Sequence, residues 1–444
     1  MPPPRRLLNY ARLLNAAENA NVEAVRELLD KDANPDVTDV YRYTPLMLAA
    51  SKVTEPAERG TVIDLLLASG ADVHAVEQAG QTALIHAVHA NNLDAARRLL
   101  AAGAKVQWRA ASGYDALYLA MGDSNLAVAR ALAAGELAGG GSTRRLLCQV
   151  LLGDASIISG ELAAGEKADA ADANGLTPLH AAALAGDPEV VDLLVAAGAR
   201  VDVQDTEGLS PLIRAVHASR EQVVVRLLEH GASTALRMAT LYGDDPLSAA
   251  ARSGQESIVR AVLAAGAAID AAGRNGSALA AAASGGHEAI VALLLECGAP
   301  ATRVGTLIAA ISAGSIAIVR RILAAGADPN ERVDLPEPHR MSLTPLVQAV
   351  FMRVPGIVSL LIDAGADVNA RDAQDDTPLI WLAEVPNEPP DQIEIAKLLL
   401  DAGADVNARG DYNRTALSVA KQTKKTLLAD VLLDAGADPT LAPD

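Results

Sequence analysis

The side chains that could do chemistry occur in small groups, and each group departs from the spacing that its chemistry requires. His86 and His89 stand three residues apart on one predicted helix, where two imidazoles could approach a metal ion. A metalloprotease helix needs a spacing of four with a glutamate between the histidines, whereas Ala87 and Val88 stand here. We therefore interpret both histidines as ordinary helix residues and predict no metal site.

Two polar segments have part of a ligand-binding pattern. Segment 135–142 has the glycines of a phosphate-binding loop, but Gly141 occupies the position of the lysine that neutralises the phosphates. Segment 169–175 offers carboxylate and amide oxygens to a calcium ion, but its spacing is wrong and no glutamate follows at the twelfth position. Turn chemistry accounts for its aspartates, which hydrogen-bond to their own backbone two residues further on. Neither segment is predicted to bind a cofactor.

The chain has only two cysteines, Cys148 and Cys297. Two are too few for a disulfide scaffold or for a zinc site built from cysteines, and their apolar helical surroundings predict buried, inert thiols. The sequence has neither a Gly-x-Ser-x-Gly nucleophile turn nor a Ser-His-Asp arrangement. We predict no catalytic residue, no cofactor and no small-molecule substrate, and therefore no enzyme activity.

The composition favours many thin helical layers over one thick core. Of the 444 residues, 50% are hydrophobic but only 2% are aromatic, and the apolar residues are mostly alanine, leucine and valine. Aromatic rings fill core volume efficiently, so a conventional core of this size would contain more of them. The high apolar content also excludes intrinsic disorder.

The charge balance limits the possible partners. The formal net charge of −18 argues against nucleic acid and anionic membrane surfaces, because both attract a surplus of lysine and arginine. The longest uncharged apolar run, residues 304–319, is too short to span a membrane. The basic start at residues 1–6 lacks the apolar stretch of a secretory signal. We expect a cytoplasmic protein by default, and a periplasmic or secreted one if an upstream signal was removed.

Two short phrases recur through the whole chain in a common register. Gly-Ala-Asp-Val-Asn-Ala occurs at 365–370 and 403–408, and its leading glycine returns most often after 33 residues. The leading glycines are residues 70, 103, 135, 165, 198, 231, 266, 298, 326, 365, 403 and 436. The second phrase, Thr-Pro-Leu, occurs at 44–46, 177–179, 344–346 and 377–379, with variants in other units. Such a fixed period indicates a stack of repeated units.

Each unit predicts two helices and a finger-like turn. Thr177 caps a first helix, and Pro178 occupies its first turn, where the missing N–H of proline costs nothing. A Gly-Asp or Gly-His turn leads to a second helix, which ends at a glycine suited to a left-handed C-cap, such as Gly198. An extended segment with aspartate and glycine then turns back as a finger.

A period of 33 residues combined with Thr-Pro-Leu-His-Ala-Ala at 177–182 resembles the ankyrin repeat family. The resemblance extends from about Leu8 to about Leu441. It implies an all-α solenoid with short β-hairpin fingers, built from about 13 stacked helix-turn-helix units. It also implies that His180 ties its unit together rather than taking part in catalysis.

The period also predicts where the array is irregular. We expect an N-terminal capping unit at residues 1–38, an array of repeats at 39–409 and a C-terminal capping repeat at 410–444. Within the array, residues 136–171 form a degenerate unit that lacks Thr-Pro-Leu, and residues 327–343 form an unusually long finger. Further insertions around 53–60 and 385–390 are expected between the two helices of a unit, because insertions in a solenoid occur in loops.

Aromatic residues are concentrated in the predicted fingers. Five tyrosines flank the turn position of a finger, and a tryptophan lies nearby: Tyr41, Tyr43, Trp108, Tyr114, Tyr242 and Tyr412. The resemblance implies that the fingers and the exposed side of the first helices form a concave binding face, and tyrosine is favoured in recognition surfaces. The same rings could instead pack against adjacent fingers, and both interpretations remain open at this point. Phe351 and Trp381 lie in predicted helices and are expected in the core.

The sequence thus predicts a non-catalytic scaffold that binds a partner protein through its concave face and fingers, with no nucleic acid and no membrane insertion. Two alternatives remain. The alanine-rich composition is typical of a GC-rich bacterial genome, so the array could be a secreted or envelope effector or regulator acting on a host or stress-response partner. A pocket under the finger at 331–343, with Asp334, Glu337 and His339, could instead belong to an enzyme or a ligand-gated module.

Overall fold

The structure is built from paired α-helices. The computed structural model describes residues 5–52, 56–138, 144–232, 245–273, 276–334, 342–386 and 389–441. These residues contain 26 α-helices, which pair in chain order into helix-turn-helix repeats, and four very short strands. The predicted all-α fold with short hairpin fingers is confirmed, and the 26 helices correspond to the predicted number of about 13 units. No helix in the described part of the chain is both long and apolar enough to cross a membrane.

The chain divides into two compact halves, residues 1–235 and 236–444. In both halves the odd-numbered label marks the first helix of a repeat and the even-numbered label marks the second. The helices of the N-terminal half are α1 (Arg5–Glu18), α2 (Val22–Leu29), α3 (Pro45–Ala50), α4 (Pro56–Ala68), α5 (Ala83–His89), α6 (Leu93–Ala101), α7 (Ala116–Gly122), α8 (Leu126–Ala138), α9 (Arg145–Leu152), α10 (Ala155–Ala163), α11 (Pro178–Ala185), α12 (Pro188–Ala196), α13 (Pro211–His217) and α14 (Glu221–Glu229).

The C-terminal half has the same alternation. Its helices are α15 (Pro246–Ser253), α16 (Glu256–Ala264), α17 (Ala278–Ser284), α18 (Glu288–Glu296), α19 (Thr306–Ser312), α20 (Ile316–Ala324), α21 (Pro345–Met352), α22 (Pro355–Asp363), α23 (Pro378–Glu384), α24 (Pro390–Asp401), α25 (Ala416–Gln422) and α26 (Thr426–Asp434). Strand β1 (Ala272–Gly273) pairs antiparallel with β2 (Gly276–Ser277), and β3 (Val333–Asp334) pairs antiparallel with β4 (Ser342–Leu343). The long finger therefore begins as the predicted hairpin.

In most repeats, the Thr-Pro-Leu phrase or a variant of it sets the start of the first helix. The Thr44 hydroxyl accepts the N–H of Met47 at 3.3 Å, which satisfies one of the donors left unpaired at a helix N-terminus. Ser210, Asp245, Thr344 and Thr377 make the same cap, and a proline follows each of them. The leucine of the phrase is buried in every repeat that contains the phrase or a variant of it: Leu46, Leu84, Leu117, Leu179, Leu212, Leu247, Leu279, Leu346, Leu379 and Leu417.

A side chain from the turn between the two helices ties many repeats to the preceding repeat. The residue that caps the second helix reaches a carbonyl at the C-terminal end of the preceding first helix, where carbonyls lack partners within the helix. Arg220 Nε donates to the Leu184 carbonyl at 3.0 Å, and His287 Nε2 donates to the Arg252 carbonyl at 3.1 Å. Asn92 and Lys425 do the same at 3.0 and 2.7 Å, respectively, to the carbonyls of Lys52 and Ala383.

Glycine makes room for two of these side chains. Gly186 and Gly254 end α11 and α15 with positive φ angles of 83° and 75°. A Cβ atom on Gly186 would lie 2.7 Å from Arg220, and a Cβ atom on Gly254 would lie 2.5 Å from the ring of His287. Any other residue would therefore have both a strained backbone and a collision at these two positions.

The Gly-Ala-Asp-Val-Asn-Ala phrase forms a hydrogen-bonded ladder in the C-terminal half. The Asn369 amide donates to the Gly403 carbonyl at 3.1 Å and accepts the N–H of Asp405 at 2.7 Å. Asn330 and Asn407 make the same two bonds to the repeats that follow them. Each asparagine thus satisfies two backbone groups of its neighbour, which explains why the phrase recurs.

One predicted helix end is wrong. Gly135 belongs to the series of leading glycines, but it lies inside α8, which continues to Ala138. Only residues 139–144 separate α8 from α9, and α9 packs against α8 and α11. A glycine ends a helix when the following chain turns away into a finger, whereas α8 continues for three residues beyond Gly135.

Two predicted insertions differ in detail from expectation. The extra residues around 53–60 and 385–390 were assigned to the turn between two helices, but residues 56–60 form the first turns of α4, and Pro390 begins α24. These helices have 13 and 12 residues, compared with nine in α6 or α12. The insertions therefore lengthen second helices as well as loops.

We predict that the asparagine ladder stabilises the stacking of repeats. Asn369→Ala removes two hydrogen bonds between repeats and should destabilise the C-terminal half by about 1–2 kcal/mol, because a net hydrogen bond is worth about 1 kcal/mol. Urea unfolding, followed by the fluorescence of Trp381 in a Trp108→Phe background, measures the change. Gln422→Ala, an exposed change on α25, is the control, and an equal loss in both variants would contradict the prediction.

Candidate functional site

Three of the exposed apolar side chains of the N-terminal half lie on its first fingers. Val40 and Tyr41 are 81% and 61% exposed at the tip of the first finger, and Trp108 on the third finger is 37% exposed. We call these three residues, with the intervening finger at 77–81, the finger patch. Such a concentration of exposed apolar groups is characteristic of a contact surface.

Side-chain hydrogen bonds hold the first two fingers of the patch in shape. Asp39 Oδ1 accepts the N–H groups of Tyr41 and Tyr43 at 2.9 and 2.8 Å. Glu77 accepts those of Ala79 and Gln81 at 2.8 and 3.0 Å through its two carboxylate oxygens. In each of these fingers, the carboxylate thus supplies hydrogen bonds that a longer β-hairpin would make between its strands.

Hydrogen bonds between fingers join the patch into one surface. The Gln78 N–H donates to the Tyr41 carbonyl at 3.3 Å. The Trp108 indole Nε1 donates to the Gly80 carbonyl at 3.1 Å, so that the ring lies against the middle finger. Tyr41 and Trp108 therefore flank one finger on a connected backbone, and both rings still face solvent.

Tyr43 and Tyr114 are placed differently from Tyr41. The Tyr43 ring is half-buried, with its centroid 5.2 Å from that of His86. The Tyr114 ring is also half-buried and stacks on buried Tyr118 at 4.6 Å, with 15° between the ring planes. Tyr43 packs against α5 of the next repeat, and Tyr114 packs against α7, which follows its own finger. Both rings therefore support the finger patch rather than extend its exposed area.

The remaining aromatic residues divide between exposed, half-buried and undescribed positions. Tyr412 is 82% exposed on a finger of the C-terminal half and has a positive φ of 52°. Tyr242 lies outside the described residues. Phe351 was expected in the core, but it is 56% exposed, because it shares a face of α21 with half-exposed Gln348. Trp381 is half-buried, and its indole donates to the Asp372 carboxylate.

The other chemical candidates take structural positions. His86 is buried and His89 is exposed, so their rings do not face a common ligand. Cys148 is buried as expected, whereas Cys297 is exposed at the end of α18, which corrects its predicted burial. No cluster of three or more His, Cys, Asp or Glu side chains in the described ranges could hold a metal ion.

The buried His180 connects its repeat to the next finger. Its Nδ1 accepts the Thr177 N–H at 3.1 Å, and its Nε2 donates to the Leu209 carbonyl at 3.0 Å. Burial, followed by the charge of Arg214, lowers the pKa of His180 to about 3, so the ring is neutral. This is the tying role that the resemblance implies.

The pocket considered under the long finger falls partly outside the described structure. Glu337, His339 and the side chain of Asp334 are not among the described residues. Glu331 is described, and its carboxylate accepts the N–H of Gly305 at 3.1 Å, next to the start of α19. This contact ties the beginning of the long finger to the start of α19.

A buried ionic network occupies the degenerate repeat. Arg144 precedes α9, and its guanidinium contacts three carboxylates at once. Nη1 lies 3.0 Å from Asp115 Oδ2 and 2.9 Å from Asp172 Oδ2, and Nη2 lies 2.7 Å from Glu136 Oε2. All four side chains are buried. Arg144 therefore joins the repeats on either side of the degenerate one. Elsewhere in the array, backbone hydrogen bonds join neighbouring fingers.

The network is held together by its one cation. Burial opposes the charged guanidinium, but the hydrogen bonds that it donates to Glu136 and the charges of Asp115 and Glu136 raise the pKa of Arg144 above its usual value. Burial also raises the pKa of the Asp115 carboxyl, against the opposing effect of Arg144. Without this arginine, three buried carboxylates would lose the cation that they share. Sequence patterns did not indicate the network, because Arg144 stands outside the repeated phrases.

A second carboxylate cluster lies in the C-terminal half. Asp376 Oδ1 accepts the Asp411 N–H at 3.1 Å, and Asp376 Oδ2 lies 3.1 Å from Arg414 Nη2. Arg414 also pairs with Glu384. Burial raises the pKa of Asp376 to about 6, and the Asp411 N–H and Arg414 only partly offset this effect.

Arg144 is predicted to be essential to the stability of the N-terminal half. Arg144→Met should destabilise it by about 3–5 kcal/mol, because the partners of a broken buried ion pair stay behind unpaired. Arg145→Met is the matched control, since neighbouring Arg145 makes a more exposed pair with Glu161 that is worth less than about 1 kcal/mol. Urea unfolding of both variants, followed by Trp108 fluorescence in a Trp381→Phe background, tests the difference. Equal losses would be inconsistent with the network.

The raised pKa of Asp376 predicts a pH effect of defined sign. The folded pKa of about 6 exceeds the reference value of 3.8, so the folded protein binds a proton that the unfolded chain has already released between these values. The C-terminal half should therefore gain stability as the pH falls from about 7 to about 5. Trp381 fluorescence during urea unfolding measures the gain. The gain should shrink in Asp376→Asn and persist in Asp375→Asn, and an unchanged gain in Asp376→Asn would contradict the assignment.

Comparisons with known proteins bear on this geometry. A family model described as ankyrin repeats (3 copies) matches residues 53–138, 146–238, 306–410 and 346–442. Among solved structures, the chain is similar to the crystal structure of the human ASB11 ankyrin repeat domain, with 23% identity and a TM-score of 0.43, over 52% of this chain and 99% of that chain. No curated protein matches the sequence. The family model covers well over half of the residues, and the chain belongs to the ankyrin repeat family.

Proposed function

We propose that the chain is a non-catalytic scaffold that binds a partner protein through the fingers of its N-terminal half and the adjoining exposed side of the first helices. Ankyrin repeats are protein–protein interaction modules that typically lack catalytic activity. The single observation that carries the finer proposal is the finger patch, in which Val40, Tyr41 and Trp108 remain exposed on a hydrogen-bonded backbone.

The chemistry of the patch suits protein recognition. Tyrosine and tryptophan contribute large contact areas with few rotatable bonds, and they are enriched among the residues that dominate binding energy. The Tyr41 ring is the more exposed of the two, and Trp108 is fixed by its bond to Gly80. A partner would therefore meet rigid groups and lose little conformational entropy on binding.

The packed tyrosines have a supporting role in this proposal. Tyr43 rests on His86, and Tyr114 rests on Tyr118, so both hold their fingers at a fixed angle to the helices. Tyr412 is exposed but lies in the other half of the chain, and we do not include it in the finger patch. The patch is thus smaller than the set of aromatic residues that the sequence singles out.

The proposal predicts that the two exposed rings carry the binding energy. Affinity capture with the wild-type chain identifies a partner, and titration then compares the wild type with a Tyr41→Ala/Trp108→Ala variant. We expect binding to weaken at least about tenfold, which is the loss typical of truncated central residues.

Two controls make this experiment decisive. Tyr412→Ala removes a more exposed ring from the C-terminal half and should leave the affinity unchanged. Far-ultraviolet circular dichroism checks that the double variant keeps its helices. If the double variant retains full affinity while folded, the finger patch is not the binding site.

A further inference from the structure

A groove lies on the layer of second helices in the N-terminal half and includes none of the finger residues. It runs between α6 and α8 and has a volume of about 640 Å³. Its floor consists mainly of alanine side chains, together with Gly135 of α8 and half-buried Leu100 of α6. A concave apolar surface of this size is within the range of ligand and peptide pockets.

The extra turn of α8 extends this groove as far as Ala138. Because α8 continues past Gly135 to Ala138, it has 13 residues, whereas α6 has nine and ends at Ala101. A Cβ atom on Gly135 would lie 2.9 Å from Leu100, so the leucine rests directly against the α8 backbone. The two helices are therefore in close contact at the base of the groove, and small side chains leave it open above.

Two arginines border the groove, one from each helix. Arg97 of α6 is exposed, and its side chain has no hydrogen bond or ion pair among the described residues. The side chain of the adjacent Arg98, in contrast, pairs with Asp64 and Asp94. Arg130 of α8 donates through Nε to the Leu151 carbonyl at 2.8 Å, which fixes its guanidinium at the edge. Among the described residues, they are the only charged ones that line the groove, so its lining is basic on a chain whose net charge is −18.

Exposed apolar residues continue the surface beyond Arg130. Leu152 follows the residue whose carbonyl Arg130 binds, and it is 39% exposed. Ile157, in the first turn of α10, is 42% exposed. Leucine and isoleucine side chains next to a basic apolar groove enlarge the area that a bound segment could cover.

We infer that this groove binds an amphipathic helix of a partner protein, whose apolar face is flanked by glutamate or aspartate side chains. A groove between two helices accepts a third helix by interlocking of side-chain ridges, and a floor of alanine and glycine permits close approach. Carboxylates at the edges of the incoming helix would pair with Arg97 and Arg130, and Arg97 would gain its first partner. This surface is separate from the finger patch, so it does not depend on the proposed function.

Fluorescence anisotropy with a labelled synthetic peptide tests the inference on the full chain. The probe is a helical peptide of about four turns, with leucine along one face and glutamate beside it. We expect it to bind the wild-type chain, and to bind more weakly at high salt because the attraction is electrostatic. A peptide with lysine in place of glutamate should not bind.

Two variants locate the binding site, and each has a matched control. Arg97→Glu should weaken binding about tenfold or more, a ratio equivalent to about 1.4 kcal/mol, whereas Arg26→Glu on α2 should not. Ala134→Phe should fill the groove and abolish binding, whereas Ala196→Phe, at an exposed alanine of α12, should leave binding unchanged. Circular dichroism confirms that each variant is folded.

Three outcomes would overturn the inference. The first is no binding of the acidic peptide at concentrations up to about 1 mM. The second is equal binding to the wild type and to Arg97→Glu or Ala134→Phe. The third is self-association of the chain in sedimentation that Arg97→Glu abolishes, because the groove would then belong to a second copy of this chain.

Discussion

A short helical hairpin cannot bury its apolar face alone, and its stacking on the next hairpin is the constraint on which this structure depends. The first helices are covered by neighbours on both flanks, which leaves space for alanine and leucine but little space for rings. Ala181, Ala182 and Ala183 of α11 are fully buried in this way. The scarcity of aromatic residues in the composition is therefore a consequence of how closely the first helices stack.

Polar groups align each repeat with its neighbour. Residues such as Arg220 and His287 bind the free carbonyls at the end of the preceding first helix, and Asn369 binds the backbone of the following repeat. Apolar contact alone would allow neighbouring hairpins to slide, whereas these hydrogen bonds are satisfied only at one relative position. The chemistry of the linking residue varies, but in each of these contacts its target is a backbone group.

The degenerate repeat shows what happens when a finger is shortened. Arg144 takes over the connection between the flanking repeats, and α8 gains the turn that carries Glu136 to the network. The same helix places Gly135 beside Leu100 and lines the groove on the layer of second helices. One local departure from the repeat thus accounts for the buried network and for the basic groove. The fingers present uncharged aromatic groups and the groove presents arginines, so the two surfaces suit partners of different chemistry.

The sequence by itself determined the repeat, its period and most helix ends, because these depend on local hydrogen bonds such as the Thr44 cap and on glycines with positive φ. It also located the aromatic residues on fingers. Only the tertiary structure decided which rings are free: Tyr41 and Tyr43 stand on either side of one turn, yet one faces solvent and the other packs on His86. The network of Arg144 likewise depends on Asp115 and Asp172, which are distant in sequence and meet only when the repeats stack. Local hydrogen bonds depend on residues that are adjacent in sequence. The exposure of a side chain and its ionic contacts depend instead on which residues of the neighbouring repeats pack against it.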